Sequence, residues 1–432
     1  MAPGAAAGLG RRFWTLWAAS TTSALGSGLT TVATPLLVAS RSSSPVVVSS
    51  AFAVAWLPWL LFALPGGVLV DRVDRRRLLV TIDVVRVVAM GALAAVVATG
   101  RAGTTTLLVA LFAALFLINA GEVVFRSAAQ AVVPSLVAPG QLEHANGWLI
   151  GGTTLMQQML AGPLGGFLFV LAVSSPFAAD AATYVASALL LGALARGRRP
   201  PVPAAERPGA GTGPAARRSV LAEAAEGFRW LLRQRLLRTM AVLIGLLNVT
   251  LTAATSVLVL LARDRLQLGS VGYGLLFTCM AAGGVLGSLV GHRLIRWVSA
   301  TWTIRGGLLV EAATHLALAA STSAAVVGAA LFTFGVHGSL WGIVSSSLRQ
   351  RLTPPEVLGR VGSTTLFLAA GGNCVGALLG GAVAGRFGLT APYWVGFVVA
   401  LGVSAATWRV FSRPAVAEAY GHPVPPRAAP AR

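Results

Sequence analysis

Among the ionisable side chains within long apolar stretches of this chain, eight are candidates for chemistry: Asp83, Arg86, Glu122, Arg126, Asp180, Glu311, His315 and His337. A charge held away from water is costly, so such a group must be paired, or it must carry a proton or bind a ligand. Asp83 and Arg86 are spaced i, i+3, and Glu122 and Arg126 are spaced i, i+4. On a helix each pair can neutralise itself, and Arg86 can also reach Glu122. The two arginines therefore read as charge partners. Glu122, His337, Asp180, Glu311 and Asp83 are the candidates for proton coupling, because partial burial can bring an acid or an imidazole into a working proton range.

Other chemistry is missing. There is no phosphate-cradling G-x-x-x-x-G-K-[ST] pattern, and the chain has no lysine at all. No G-x-S-x-G, H-E-x-x-H or paired-cysteine pattern occurs, so neither an enzyme nor a metal or other cofactor is expected. Cys279 and Cys374 are isolated and read as small packing residues.

The elements that carry these charges are twelve apolar stretches, each near the roughly 20 residues that a helix needs to cross a ~30 Å hydrocarbon core. They fall at about 13–39, 47–69, 78–99, 106–127, 147–172, 177–195, 239–261, 272–294, 303–321, 325–347, 361–385 and 391–411. The chain is 56% hydrophobic and 11% charged, with mean hydropathy +0.77. Continuous apolar runs exclude a barrel, whose strands would alternate. The expected fold is an all-α polytopic membrane protein. Its first stretch runs into Pro35 and Leu36 without a small-residue cleavage site, so it is expected to remain as a span.

Because the chain lacks lysine, all 33 of its Lys+Arg residues are arginine. Only Arg41, Arg101, Arg263, Arg265 and Arg386 fall on the side opposite the termini, and Arg86 lies deep within a span. This asymmetry places both termini in the cytoplasm, in a cell inner membrane. The net charge of +20 is then attraction to the inner leaflet. The arginines are scattered over many short loops, so no nucleic-acid partner is expected.

The longest non-membrane stretch is 196–238. It opens as a Pro/Gly/Arg linker and becomes an amphipathic helix over Val220–Arg238, suited to the membrane surface. It separates a six-helix half at 1–195 from another at 239–412, and a tail at 413–432 is expected to be disordered. The halves look duplicated. Leu136-Val-Ala-Pro139-Gly-Gln-Leu142 and Leu352-Thr-Pro-Pro355-Glu-Val-Leu358 share L-x-x-P-x-x-L. Gly66-Gly-Val-Leu and Gly283-Gly-Val-Leu repeat at nearly the same separation.

The 2–3 loop reads Gly67-Val-Leu-Val-Asp71-Arg72-Val-Asp74-Arg75-Arg76-Arg77. It resembles G-x-L-x-D-R-x-G-R-R, the most diagnostic signature of the major facilitator superfamily, with Asp74 where the family usually has glycine. The resemblance implies twelve helices in two pseudo-symmetric six-helix bundles. It also implies an inner gate built from Gly67, Asp71, Arg72, Arg75 and Arg76. Ala131-Val-Val-Pro134-Ser-Leu136-Val with Leu142-Glu-His-Ala145-Asn146 is similar to the 4–5 loop of a drug/proton antiporter-like branch that includes enterobactin exporters and macrolide efflux proteins. Ser347-Leu-Arg349-Gln350-Arg351 and Glu226-Gly227-Phe228-Arg229-Trp230 resemble the same branch. Gly162-Pro163-Leu-Gly165-Gly166 resembles the exporters' G-P-x-x-G-G motif, one residue short before its glycine pair but keeping Gly166.

In relatives, spans 1, 4, 7 and 10 line a central cavity. That implies cavity positions for Glu122 and His337, and makes Phe52, Trp56, Asn248 and Trp341 candidates for a substrate surface. The expected function is proton-coupled efflux of amphipathic drugs or antibiotics by a monomer. Export of a siderophore or another secreted natural product is the alternative, and a non-transporting membrane sensor or scaffold is an alternative of another class.

Overall fold

The structure is a computed structural model, and it describes residues 9–62, 73–196 and 220–412, with 414, 416, 418 and 419 beyond them. Gly67, Asp71 and Arg72 of the 2–3 loop, most of the linker and most of the tail lie outside the described residues.

All regular secondary structure among the described residues is helical. A backbone surrounded by lipid must satisfy its own N–H and C=O groups, and continuous apolar runs allow this only as helices. The first half comprises α1 (Arg11–Arg41), α2 (Pro45–Phe62), α3 (Arg75–Thr99), α4 (Thr104–Val132), α5 (Leu142–Thr154), a π-helical segment (Leu155–Leu160), α6 (Ala161–Leu171) and α7 (Ser175–Arg196). The linker helix is α8 (Val220–Arg233). The second half comprises α9 (Arg235–Ser256), α10 (Leu258–Asp264), α11 (Ser270–Val298), α12 (Ala300–Ala320), α13 (Ala324–Leu352), α14 (Pro355–Phe387) and α15 (Ala391–Thr407).

Ten helical stretches among the described residues are long and apolar enough to cross a membrane; α5 through α6 form one of them, and α9 with α10 another. The 21-residue α12, which carries Arg305 and Glu311, and the 17-residue α15 complete twelve. Large apolar side chains such as Leu117, Leu289 and Val398 are exposed on the outside. On a soluble domain such a surface would be unusual; here it meets lipid.

The linker helix is shorter than its sequence pattern suggests. It ends at Arg233, Gln234 is extended, and Arg235 begins α9. The chain must turn there from the membrane surface into a crossing. Arg238 of α9 donates to the carbonyl of Leu232 at 3.1 Å, satisfying an end group that the broken helix exposes.

Within the first half, α7 packs on α1 and α3, and α4 packs on α2 and α3. Within the second, α13 packs on α11 and α12, α14 packs on α9, and α15 packs on α12. Between the halves, α2 packs on α14 and α6 packs on α11. These two contacts exchange with one another under a six-helix repeat, as the duplicated motifs imply. They are continuous with an apolar cluster that joins Leu37 and Val38 of α1 to Leu258, Leu260 and Leu261 of α10. This seal lies on the face of the bundle opposite the termini, called here the far side.

Candidate functional site

The first half holds a buried charge cluster. Arg86 is fully buried and Glu122 lies across from it on α4. The Arg86 guanidinium reaches Glu122 Oε2 at 2.8 Å and Asp83 Oδ1 at 3.5 Å. Its faces rest on the Phe125 and Tyr184 rings, each centroid 5.1 Å away. The other oxygen of Glu122 accepts from Arg126 at 3.2 Å. Ser187 of α7 donates to Asp83 Oδ2 at 2.5 Å. Gly121 makes room for this, because a Cβ there would come 2.9 Å from Arg86 Nε. The two carboxylates and two guanidiniums balance, and they tie α3, α4 and α7 together.

Asp180 is set apart from that cluster. It is fully buried on α7 and accepts from Thr30 of α1 at 2.5 Å. Gly26 lets α1 approach, since a Cβ there would collide with Asp180 and Thr183. Ser27 and the Tyr184 hydroxyl share a hydrogen bond at 3.0 Å. The polar stripe Asp180, Thr183, Tyr184 and Ser187 repeats every three to four residues, so its single helical face was legible in the sequence, although only Asp180 stands out by charge.

In the second half Glu311 is buried on α12, with His337 Nε2 3.7 Å and His315 Nδ1 3.9 Å from its two oxygens. Glu311 Oε1 takes no hydrogen bond. His337 turns towards α12, where Gly307 makes room for its ring, and it is only 7% exposed. His337, which the resemblance implies to be a cavity residue, thus lies beside the buried Glu311. Among the described residues no arginine lies within ion-pair distance of Asp180 or Glu311. No described cluster of histidine, cysteine and acidic residues could hold a metal ion.

The Gly-Pro motif lies on the boundary between the halves. Pro163 has no N–H to offer, and the helix opens into the π-helical turn just before it, with the Ala161 N–H reaching Met156. Gly162 faces Gly274 and Thr278 of α11, and a Cβ on Gly162 would stand 2.7 Å from the Gly274 carbonyl. Gly166 meets Ser270 of the same helix, while Gly165 meets Leu29 of α1. Nearby, Arg263 at the end of α10 donates to the Ala39 carbonyl of α1 at 2.8 Å. Residue spacing does not disclose this contact, because it depends on how two loop ends meet.

The substrate-surface candidates separate. Trp56 and Trp59 of α2 lie 6.2 Å apart, and Arg126 sits over Trp59 at 5.2 Å. Phe52 is partly buried on the same helix. Trp341 packs beside the His337 ring, at 6.5 Å. Asn248 donates to its own helix at Ile244 and lies where α9 meets Gly372 of α14. Of the gating motif, Arg75 is exposed at the start of α3, and the Arg76 side chain lies outside the described residues. Asp74 caps α3, its carboxylate accepting from the Arg77 N–H at 3.3 Å, which gives the departure from glycine a structural use.

This arrangement of two six-helix halves is shared with solved proteins. The chain is similar to a bacterial homologue of the iron transporter ferroportin in an inward-facing state, at 17% identity, 93% coverage of this chain, 99% of that chain and TM-score 0.74. The outward-facing structure of such a homologue gives 16% identity, 93% and 100% coverage and TM-score 0.59. In sequence, the chain is 25% identical over 372 residues to an uncharacterized MFS-type transporter of Sinorhizobium fredii, spanning 86% of this chain and 88% of that protein. It is also 28% identical over 137 residues to macrolide efflux protein A of Streptococcus pyogenes, spanning 32% and 33%. The Major Facilitator Superfamily family model matches residues 16–377. With that match covering most of its length, the chain is a membrane transporter that belongs to the Major Facilitator Superfamily.

Proposed function

We propose that this transporter is a proton-coupled exporter of amphipathic small molecules, working by alternating access as a monomer. It sits in the cell inner membrane with both termini in the cytoplasm, so the far side is the outer face. The observation that carries this reading is the boundary at Gly162 and Gly274, where a resemblance to the exporters' motif coincides with a backbone contact between halves. Close contact between small residues lets the two halves pack and part along a smooth backbone surface beside the apolar seal. The better agreement with an inward-facing than with an outward-facing structure supports a state open to the cytoplasm.

Proton coupling is supported by Asp180 and Glu311. Each is a buried acid without an arginine partner among the described residues, so each can change its proton occupancy without breaking an arginine salt bridge. Glu122 is less suited, because two guanidiniums hold its charge. Asp71 and Arg72 would govern the inner gate, as the resemblance implies. The test is substrate accumulation in inverted vesicles with an imposed pH gradient. Asp180→Asn or Glu311→Gln should abolish uphill accumulation while leaving downhill exchange. If both variants pump normally at normal expression, neither acid couples protons.

A further inference from the structure

We infer that the cytoplasmic cleft of this transporter selects a substrate carrying an acidic group beside an aromatic or apolar body, with Arg126 receiving the acid and Trp59 the body. This rests on the transport reading above and adds the chemical class of the cargo.

The first support is the direction of Arg126. Along α4 the exposed residues Val109, Ala113 and Leu117 recur every four positions and mark the lipid face. Arg126 comes nine residues after Leu117, thirteen after Ala113 and seventeen after Val109, which at about 100° per residue turns it about 180°, about 140° and about 100° from them, off the lipid face. Its side chain is nonetheless 52% exposed. A side chain that faces away from lipid yet stays half-exposed faces the space between the halves. Its ring partner agrees, since Trp59 belongs to α2, a helix of the boundary.

The second support is the charge that this wall presents. Glu122 is 19% exposed in its side chain and is shared between Arg126 and the deeper Arg86. Asp83 is drawn inwards by Arg86 and Ser187. Asp180 and Glu311 are buried. Negative charge is therefore spent inside the bundle, and the half-exposed charge left on this wall is cationic. Arg126 gives one N–H to Glu122. A guanidinium has five donors in a planar fork, so it can hold Glu122 and still take a carboxylate, phosphate or phenolate. The adjacent Trp56 and Trp59 rings offer a flat apolar surface beside that fork. A cationic drug would meet the same guanidinium with repulsion.

The experiment compares two probes with one aromatic body, anthracene-9-carboxylate and (anthracen-9-ylmethyl)trimethylammonium. Their binding to the purified full chain is measured by calorimetry in phosphatidylcholine nanodiscs. The carboxylate should bind about tenfold more tightly. Arg126→Gln should remove that preference, Arg126→Lys should keep part of it, and Trp59→Leu should weaken both probes. Equal or tighter binding of the cation to the unaltered protein would overturn the inference, and this arm needs no variant to fold. Loss of carboxylate binding when phosphatidylglycerol is added would also overturn it, by assigning Arg126 to lipid headgroups. Carboxylate binding without any transport would leave this inference standing and defeat the export reading. Proton-driven pumping of the cation alone would do the reverse.

Discussion

Gly162 and Gly274 touch backbone to backbone across the boundary between the two halves, so neither position has space for a side chain. A Cβ on either would collide with the other's carbonyl or with a neighbouring atom. Forcing apolar volume into a packed joint costs about 1–3 kcal/mol, enough to move a two-state equilibrium about fivefold or more. Gly274→Leu should therefore hold the far side open and slow transport by at least that factor. The check is thiol labelling of a cysteine placed at Val38, which is fully buried in the closed seal. Unchanged labelling and unchanged transport would show that the joint does not need to close.

Arg263 should act on the same seal from the other end. Its bond to the Ala39 carbonyl crosses between the halves, and Asp264 steadies the guanidinium with contacts at 2.6 and 3.1 Å. Arg263→Ala should raise labelling at Val38 while leaving folded yield intact, since the side chain is 41% exposed. Arg263→Lys should fall between. Labelling identical to the unaltered protein in both variants would mean that the apolar cluster alone closes this side.

Arg86 should matter to folding before it matters to transport. Removing one partner of a buried ion pair costs about 3–5 kcal/mol, because the remaining charge is stranded. Arg86→Met leaves the fully buried Asp83 with only Ser187 and leaves Glu122 with Arg126 alone, so monodisperse yield and melting temperature should drop sharply. Replacing both acids as well, with Glu122→Gln and Asp83→Asn, should recover much of the loss. A well-folded Arg86→Met single variant would assign the cluster a role other than holding α3, α4 and α7 together.

Much of this was legible in the sequence. Helix number and the two-half plan follow from apolar run length and the repeated loop motifs, because lipid leaves a backbone few choices. The Asp83–Arg86 and Glu122–Arg126 pairs follow from helical spacing alone. What the spacing could not give was the choice among tertiary partners. Arg86 bridging to Glu122 needs α3 and α4 to face one another, and His337 meeting Glu311 needs α12 packed against α13. The end of the linker helix was missed for a different reason. The amphipathic pattern runs past Gln234 into Leu236 and Arg238, so periodicity continues where the chain changes direction.

The most direct test uses inverted vesicles that contain the transporter, with anthracene-9-carboxylate outside and an acid-inside pH gradient. The cytoplasmic face of the protein then points outwards, and protons leaving the lumen should drive the probe in. Accumulation above the outside concentration is expected, with collapse when a proton–potassium exchanger removes the gradient and no response to ATP. Accumulation that persists without the gradient, or that follows sodium at constant pH, would contradict proton-coupled export.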